Sequence, residues 1–403
     1  MRDLRAVLVS SYPPRHCGVA ATAGALSHIL ARQAGFQVRV IAIEPKDESF
    51  DYGPIVVGRI QQGGDDEYLR AIDHIDRINP DVICLQHEYG LWGRWDEELI
   101  SDHAVRFLET VRKNWPETGV VSTLHTVRPS PSPLEYDVIR GIVGLSSVST
   151  VMADTGVKIL RDGYGITSDT IVHLPLGVSA GDDHSRASCK RQLDLQGRMV
   201  ISTLGLLDPR KGVEYAIRAM RTVVARYPDA LYIVAGETHP EHRKYLGEQY
   251  RASLYALVRD LRLRDHVRFI DRYLSDREII AYVQASDIYV TPYLAHNQIT
   301  SGMLALAVAN GKAIISTPYE HAVEALGDGC GLLVAFRDAD ALAQGLIRML
   351  DDPSYRTRCE RRAAARGAGT AWPQIGARYA AILCQVASGE PFATATSRTE
   401  MVL

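Results

Sequence analysis

Apolar residues along the chain fall into short runs, separated by longer stretches with a three-to-four-residue apolar spacing. In the first half the runs are 6–9, 38–43, 82–86, 120–124, 147–152 and 170–172, with helical spacing over 21–32 and 95–113 between them. A second series runs 200–204, 231–235, 267–270, 288–291, 313–316 and 331–334. It alternates with helical stretches at 213–226, 250–261, 276–285, 302–309 and 339–350. Short β-rich runs joined by helical crossovers predict parallel sheets with helices on both faces. The fold class expected is α/β, with two Rossmann-like domains facing a central cleft.

The break between the two series falls after Leu174-Pro175-Leu176-Gly177-Val178, where small and polar residues follow. The expected boundaries are therefore a first domain over 1–177, a linker at 178–190 and a second domain over 191–372. A last helix at 373–387 is expected to return to the first domain, and 388–403 reads as a flexible tail without periodicity. Two such halves joined by a polar linker are expected to close on a ligand by hinge rotation.

The formal net charge of −3 gives no support to a nucleic-acid partner. No run reaches the roughly 18 apolar residues that span a bilayer. The first apolar run, 6–9, is too short for a signal-peptide core, so a cytoplasmic location is expected. The 6 cysteines are scattered without a C-x-x-C pair, which predicts free thiols and no metal site.

Candidate chemistry gathers where the runs end, because the carboxyl ends of parallel strands carry the ligand site of open α/β sheets. After the first run, Arg15 and His16 are candidate phosphate or hydroxyl contacts, and Gly18 permits close approach of backbone amides. A plain strand-to-helix turn is the alternative. His87 and Glu88 follow the third run, with a solvated loop as the alternative. His125 follows the fourth, with a satisfied core histidine as the alternative. The prolines of Arg128-Pro129-Ser130-Pro131-Ser132-Pro133 predict a stiff extended loop beside it.

In the second half, Arg210 and Lys211 stand just before a helix start, where side-chain charge and helix dipole favour an anion. Thr300, Ser301, Gly302 and Met303 open a long apolar helix whose first amides suit a phosphate. Helix starts without a ligand are the alternative at both places. The turn Gly236-Glu237-Thr238-His239-Pro240 reads as readily as a plain turn as it does as a site.

Gly205…Lys211-Gly212, Val267-Arg268-Phe269-Ile270-Asp271, Ala285 to Pro292 and Asn310 to Thr317 together resemble the B-type retaining glycosyltransferases of family four. The resemblance covers about residues 4–387. It implies transfer of a mannosyl or glucosyl group from an activated sugar to a hydroxyl, without a metal or other cofactor. Gly18 then matches a glycine loop near donor phosphate and acceptor, His125 the histidine on the transferred sugar, and Lys211 the lysine on the donor phosphates. Asp271 and Tyr273 fall where the nucleotide base docks, and Arg15, His16, His87 and Glu88 lie on the acceptor side.

Three positions depart from the family pattern. Leu206 replaces the usual arginine, a role Arg210 is expected to take over. Gln298 and Leu306 stand where the family has two glutamates, one near the sugar and one holding the ribose. Gln298 still hydrogen-bonds a sugar hydroxyl, and with Lys211 and His125 completes the expected catalytic set. Leu306 cannot hold a ribose. The partners expected are a nucleotide-sugar or sugar-phosphate donor and a carbohydrate or other hydroxyl acceptor, with a homo-oligomer left open. Two rival readings remain: a glycoside phosphorylase or transferase using a simple sugar 1-phosphate, and a non-catalytic sugar-binding protein of the same fold.

Overall fold

The computed structural model describes residues 3–389 apart from 47, 97, 168, 180 and 182–184. The tail expected to be flexible is thus described only at Ser388 and Gly389. The chain forms two compact units, Met1–Gly177 with Trp372–Leu403, and Val178–Ala371.

The first unit contains β1 (Leu4–Ser10), β2 (Phe36–Glu44), β3 (Val56–Gln61), β4 (Val82–His87), β5 (Gly93–Asp96), β6 (Glu98–Asp102), β7 (Gly119–Leu124), β8 (Val148–Val151) and β9 (Ile171–His173). Seven of these make a parallel sheet in the order β3-β2-β1-β4-β7-β8-β9. Central strands are apolar throughout because helices cover both faces: Ala6, Val7, Leu8 and Val9 are all buried. The helices Gly18–Ala31 and Trp372–Ala387 meet over this sheet, where Leu26 and Leu30 pack with Ile375, Tyr379 and Leu383 against Leu8, Cys84 and Val121. Gly376 makes that meeting close, since a Cβ there would lie 2.1 Å from Ile29.

Two elements differ from the pattern reading. The stretch 95–113 is not one helix: β5 and β6 form an antiparallel hairpin, and the helix is Ala104–Asn114. The Asp102 carboxylate accepts the N–H of Ala104, the first residue of that helix, at 2.9 Å. Gly93 lies against the backbone of Ser101, too close for any side chain. The span 178–190 is not wholly irregular either. Ser185 caps a helix, Arg186–Gln192, which is anchored by buried Cys189 and by a 2.6 Å contact from Lys190 to Asp287.

The second unit contains β10 (Met199–Leu204), β11 (Ala230–Ala235), β12 (Val267–Ile270), β13 (Ile288–Thr291), β14 (Ala313–Ser316) and β15 (Leu332–Leu333). They form a parallel sheet in the order β12-β11-β10-β13-β14-β15. The loops after β10, β11 and β13 interlock through glycine. Gly236 has φ +138°, and a Cβ on it would lie 2.2 Å from the Gly205 carbonyl oxygen. Gly212 has φ +60°, with the Pro292 carbonyl oxygen 2.1 Å from its Cβ position. The Leu294 N–H donates to the Arg210 carbonyl at 2.8 Å and fastens the same pair of loops.

Gly236→Ala should therefore lower the unfolding free energy by about 1–3 kcal/mol, the usual cost of a strained backbone site. Urea denaturation measures this, and an unchanged midpoint would mean that the three loops do not constrain one another.

Candidate active site

In the first unit the ends of β4 and β7 bring together the polar residues that follow their apolar runs. The two strands are in register from Val82 opposite Gly119 to His87 opposite Leu124, and the His125 N–H continues the ladder to the His87 carbonyl at 2.9 Å. His125 Nε2 lies 2.8 Å from Gln86 Oε1. Burial, reinforced by the neighbouring His87, pushes the His125 pKa down to about 4, so the ring is neutral at physiological pH. Glu88 accepts the Thr126 hydroxyl at 2.7 Å and the Tyr89 N–H at 3.2 Å. Burial raises its pKa, opposed by the Thr126 hydrogen bond.

His87 takes a different role from the one its position suggests. It is fully buried, and its Nε2 lies 3.0 Å from the equally buried Asp102. A ligand cannot reach it. The same carboxylate accepts the Ala104 N–H, so His87 and Asp102 together tie β4 to the hairpin and the following helix. Arg15 donates to the Ile43 carbonyl at 3.2 Å, at the end of β2. Gly18 is the first residue of its helix, and a Cβ there would meet nothing within 4 Å. Its lack of a side chain is not forced by packing. His16 belongs to the same loop, which Cys17 closes by capping the helix through its sulfur.

In the second unit Lys211 is half-buried, with its ammonium 3.9 Å from the centroid of the Tyr293 ring. Burial lowers its pKa to about 8, with Asp208 opposing the shift. Arg210 is exposed and points elsewhere: its guanidinium grips Asp208 at 3.2 and 3.0 Å. Burial alone would raise the Asp208 pKa, but the bonds from Arg210 bring it below the usual carboxylate range. As placed here, Arg210 orders its own loop through Asp208.

Ser301 caps the helix Gly302–Ala309 by accepting the Leu304 N–H at 3.3 Å. Its own N–H is taken by His321 Nδ1 at 2.9 Å, which leaves Gly302 and Met303 as the amides available at this helix start. Gln298 donates to the Thr300 carbonyl at 2.9 Å and accepts the His321 N–H on its own carbonyl. Thr300 keeps a buried hydroxyl with no hydrogen-bond partner among the described residues. Leu306 is buried in the apolar layer beneath, with Tyr293 and Tyr319. Asp271 pairs at 3.0 Å with buried Arg251, which also donates to the Gly236 carbonyl at 2.8 Å. Tyr273 is exposed.

Four residues of the two clusters were not singled out by sequence: Gln86, Asp102, Asp208 and His321. Each is polar and buried, and each acts on a candidate residue or its loop. Asp208, two residues from Arg210, and Gln86, next to His87, carried the only local signals.

Residues 186–366 match the family described as Glycosyl transferases group 1. The chain is 28% identical over 374 residues to a phosphatidyl-myo-inositol mannosyltransferase of Mycolicibacterium smegmatis, covering 88% of each chain. It is also 28% identical over 277 residues to a GDP-mannose-dependent monoacylated alpha-(1-6)-phosphatidylinositol monomannoside mannosyltransferase of Corynebacterium glutamicum, covering 64% of this chain and 68% of that one. Among solved structures, a sucrose-phosphate synthase of Thermosynechococcus elongatus superposes with a TM-score of 0.77 at 18% identity, over 96% of this chain and 100% of that one. A HepE protein of Anabaena in complex with UDP gives a TM-score of 0.69 at 15% identity, over 95% and 100%.

The chain is a B-type glycosyltransferase. The family match within this glycosyltransferase takes in Lys211, Asp271, Gln298 and the helix start at Ser301, all in the second unit. His125 lies outside it, in the first unit. No helix among the described residues is long and apolar enough to cross a membrane.

Removing one partner of a fully buried pair strands the other. Asp102→Ala in this glycosyltransferase should cost about 1–3 kcal/mol of stability, the usual cost of a buried donor left without its acceptor. Chemical denaturation tests this. A loss under about 1 kcal/mol would show that His87 is free to turn toward solvent.

Proposed function

We propose that the enzyme transfers a hexosyl group, mannosyl foremost, from a nucleoside-diphosphate sugar to a hydroxyl acceptor with retention at the transferred carbon. The second unit holds the donor, and the first unit offers the acceptor side, with Arg15, His16 and Glu88 near it. The mannosyl assignment is supported by the relatives, which are mannosyltransferases, one of them GDP-mannose-dependent. A nucleotide site in this fold is supported by the neighbour solved with UDP. A cytoplasmic location fits the six free thiols. None of the relatives described above favours the sugar 1-phosphate or the non-catalytic reading.

The supporting observation in this chain is Lys211. Its ammonium is half-buried against an aromatic face, and no described carboxylate lies within ion-pair distance of it. A lysine whose pKa falls through burial gains from an anion that restores its charge. As the bond between the sugar and its phosphate breaks, negative charge grows on the phosphate. Lys211 and the amides of Gly302 and Met303 meet that charge without rearrangement. Gln298 orients the sugar held by the second unit, neutral His125 is the sugar contact of the first, and retention follows if the acceptor attacks from the face that the phosphate leaves. Asp271 and Tyr273 are assigned to the base in this reading, and the Arg251 contact that fixes Asp271 supports it.

The free lysine is charged below its pKa and neutral above it. kcat/KM for GDP-mannose should therefore hold steady up to about pH 8 and fall as the pH rises through it. Lys211→Ala should lower kcat/KM about 100-fold with an unchanged melting temperature. An unaltered rate in that variant removes the phosphate role.

Leu306 offers no acceptor to ribose hydroxyls. Nucleoside diphosphates should accordingly bind with Kd in the tens of micromolar, about −6 kcal/mol. Calorimetry with GDP and UDP decides this. Nanomolar binding would refute the cost assigned to Leu306, and no binding of either nucleotide would refute the donor class.

A further inference from the structure

Three neighbouring strands of the first unit carry polar residues at one level of an otherwise apolar sheet. Gln86 on β4 is opposite Thr123 on β7, and Thr123 is opposite Thr150 on β8. All three are buried. Polar side chains are costly in such a position unless each finds a partner, and here they partner one another. The Thr150 hydroxyl donates to Thr123 Oγ1 at 2.9 Å, and the Gln86 amide nitrogen donates to the same oxygen at 3.2 Å. The backbone of Gln86 is fixed as well, since the Trp92 indole N–H donates to its carbonyl at 2.7 Å. With the amide nitrogen committed to Thr123, the amide oxygen is left facing His125 Nε2 at 2.8 Å.

An amide oxygen only accepts, so the ring nitrogen opposite it must carry the hydrogen. A neutral imidazole carries one. Nδ1 then keeps its lone pair, and no described residue partners it. We propose that Gln86 is a positioning residue, held by Thr123 and Thr150, which keeps His125 in the tautomer with hydrogen on Nε2 and presents Nδ1 as an acceptor for a hydroxyl of the transferred sugar. This rests on the reading of His125 as a sugar contact. An acceptor at this place welcomes an O–H donor and repels an anionic substituent, so it selects neutral hexosyl groups over uronosyl groups. Reversing the amide would reverse the ring: its nitrogen would donate to Nε2, and the hydrogen would move to Nδ1.

The test is nitrogen-15 NMR of the full chain labelled in histidine, with the His125 signals identified by their loss in His125→Gln. The wild type should show a protonated Nε2 and a bare Nδ1, unchanged down to pH 6. In Gln86→Glu the carboxylate still accepts from Nε2 but adds a negative charge. The His125 ring should then gain a proton at a pH at least one unit higher than in the wild type. A hydrogen on Nδ1 in the wild type overturns the proposal, and this measurement requires no variant of Gln86 to fold. Coincident titrations of His125 in wild type and Gln86→Glu also overturn it. In parallel, kcat/KM for GDP-mannose in Gln86→Glu should fall as the pH drops through the raised His125 pKa, where the wild type stays level. An NMR result as expected, with no turnover of any nucleotide sugar, upholds the positioning role and rejects the donor class instead.

Discussion

In a sheet whose strands all run the same way, each connection must cross back over a face, and each strand delivers its last residue to the same edge. Both sheets here obey that constraint. It divides labour along every strand: the interior residues are apolar because helices lie above and below, and the first residue beyond is free to be polar. Gln86, His87 and His125 collect at one such edge, and Asp208, Lys211, Pro292 and Tyr293 at the other. Neither cluster needs a dedicated scaffold, because the edge is already rigid.

What turns an edge into a chemical site is the low polarity just behind it. Lys211 loses hydration against Tyr293, and His125 loses it beside the sheet, so both pKa values fall. The two shifts have opposite consequences. A lysine near 8 remains mostly charged at neutral pH and is ready for an anion. A histidine near 4 is neutral and is ready to exchange hydrogen bonds. One physical cause thus leaves a cation suited to an anion in one unit and an uncharged ring suited to hydrogen bonding in the other.

The strands were legible because full burial leaves an unbroken apolar run; those at 267–270, 288–291 and 313–316 coincide with β12, β13 and β14. β3 was missed because it is an edge strand, broken by Gly58 and Arg59 and half exposed. The hairpin was hidden because its residues also fit a helical spacing, and only the pairing of β5 with β6 ends that reading. Position in the chain marked His87 and His125 alike as polar residues following an apolar run. What separates them is Asp102, 15 residues from His87, a pairing that no local pattern reveals. Arg210 and Ser301 were read for charge and for free amides. Asp208 occupies the one, and His321 occupies the amide of the other. Leu306 was placed correctly inside its helix, since an apolar residue at that spacing has little else to do than pack.

The helix Trp372–Ala387 belongs to the unit that precedes Val178, so that unit is closed only after the whole of Val178–Ala371 has been made. On a ribosome the second unit, Val178–Ala371, is contiguous and can be completed while synthesis continues. The first must wait, with the apolar patch around Leu26, Leu30 and Val121 uncovered until Ile375, Tyr379 and Leu383 arrive. Nascent chains of this protein therefore pass through a stage in which the later-made half is finished and the earlier-made half is still greasy and adhesive. A premature stop anywhere before Trp372 leaves that stage permanent, which makes such fragments natural clients of chaperones and proteases.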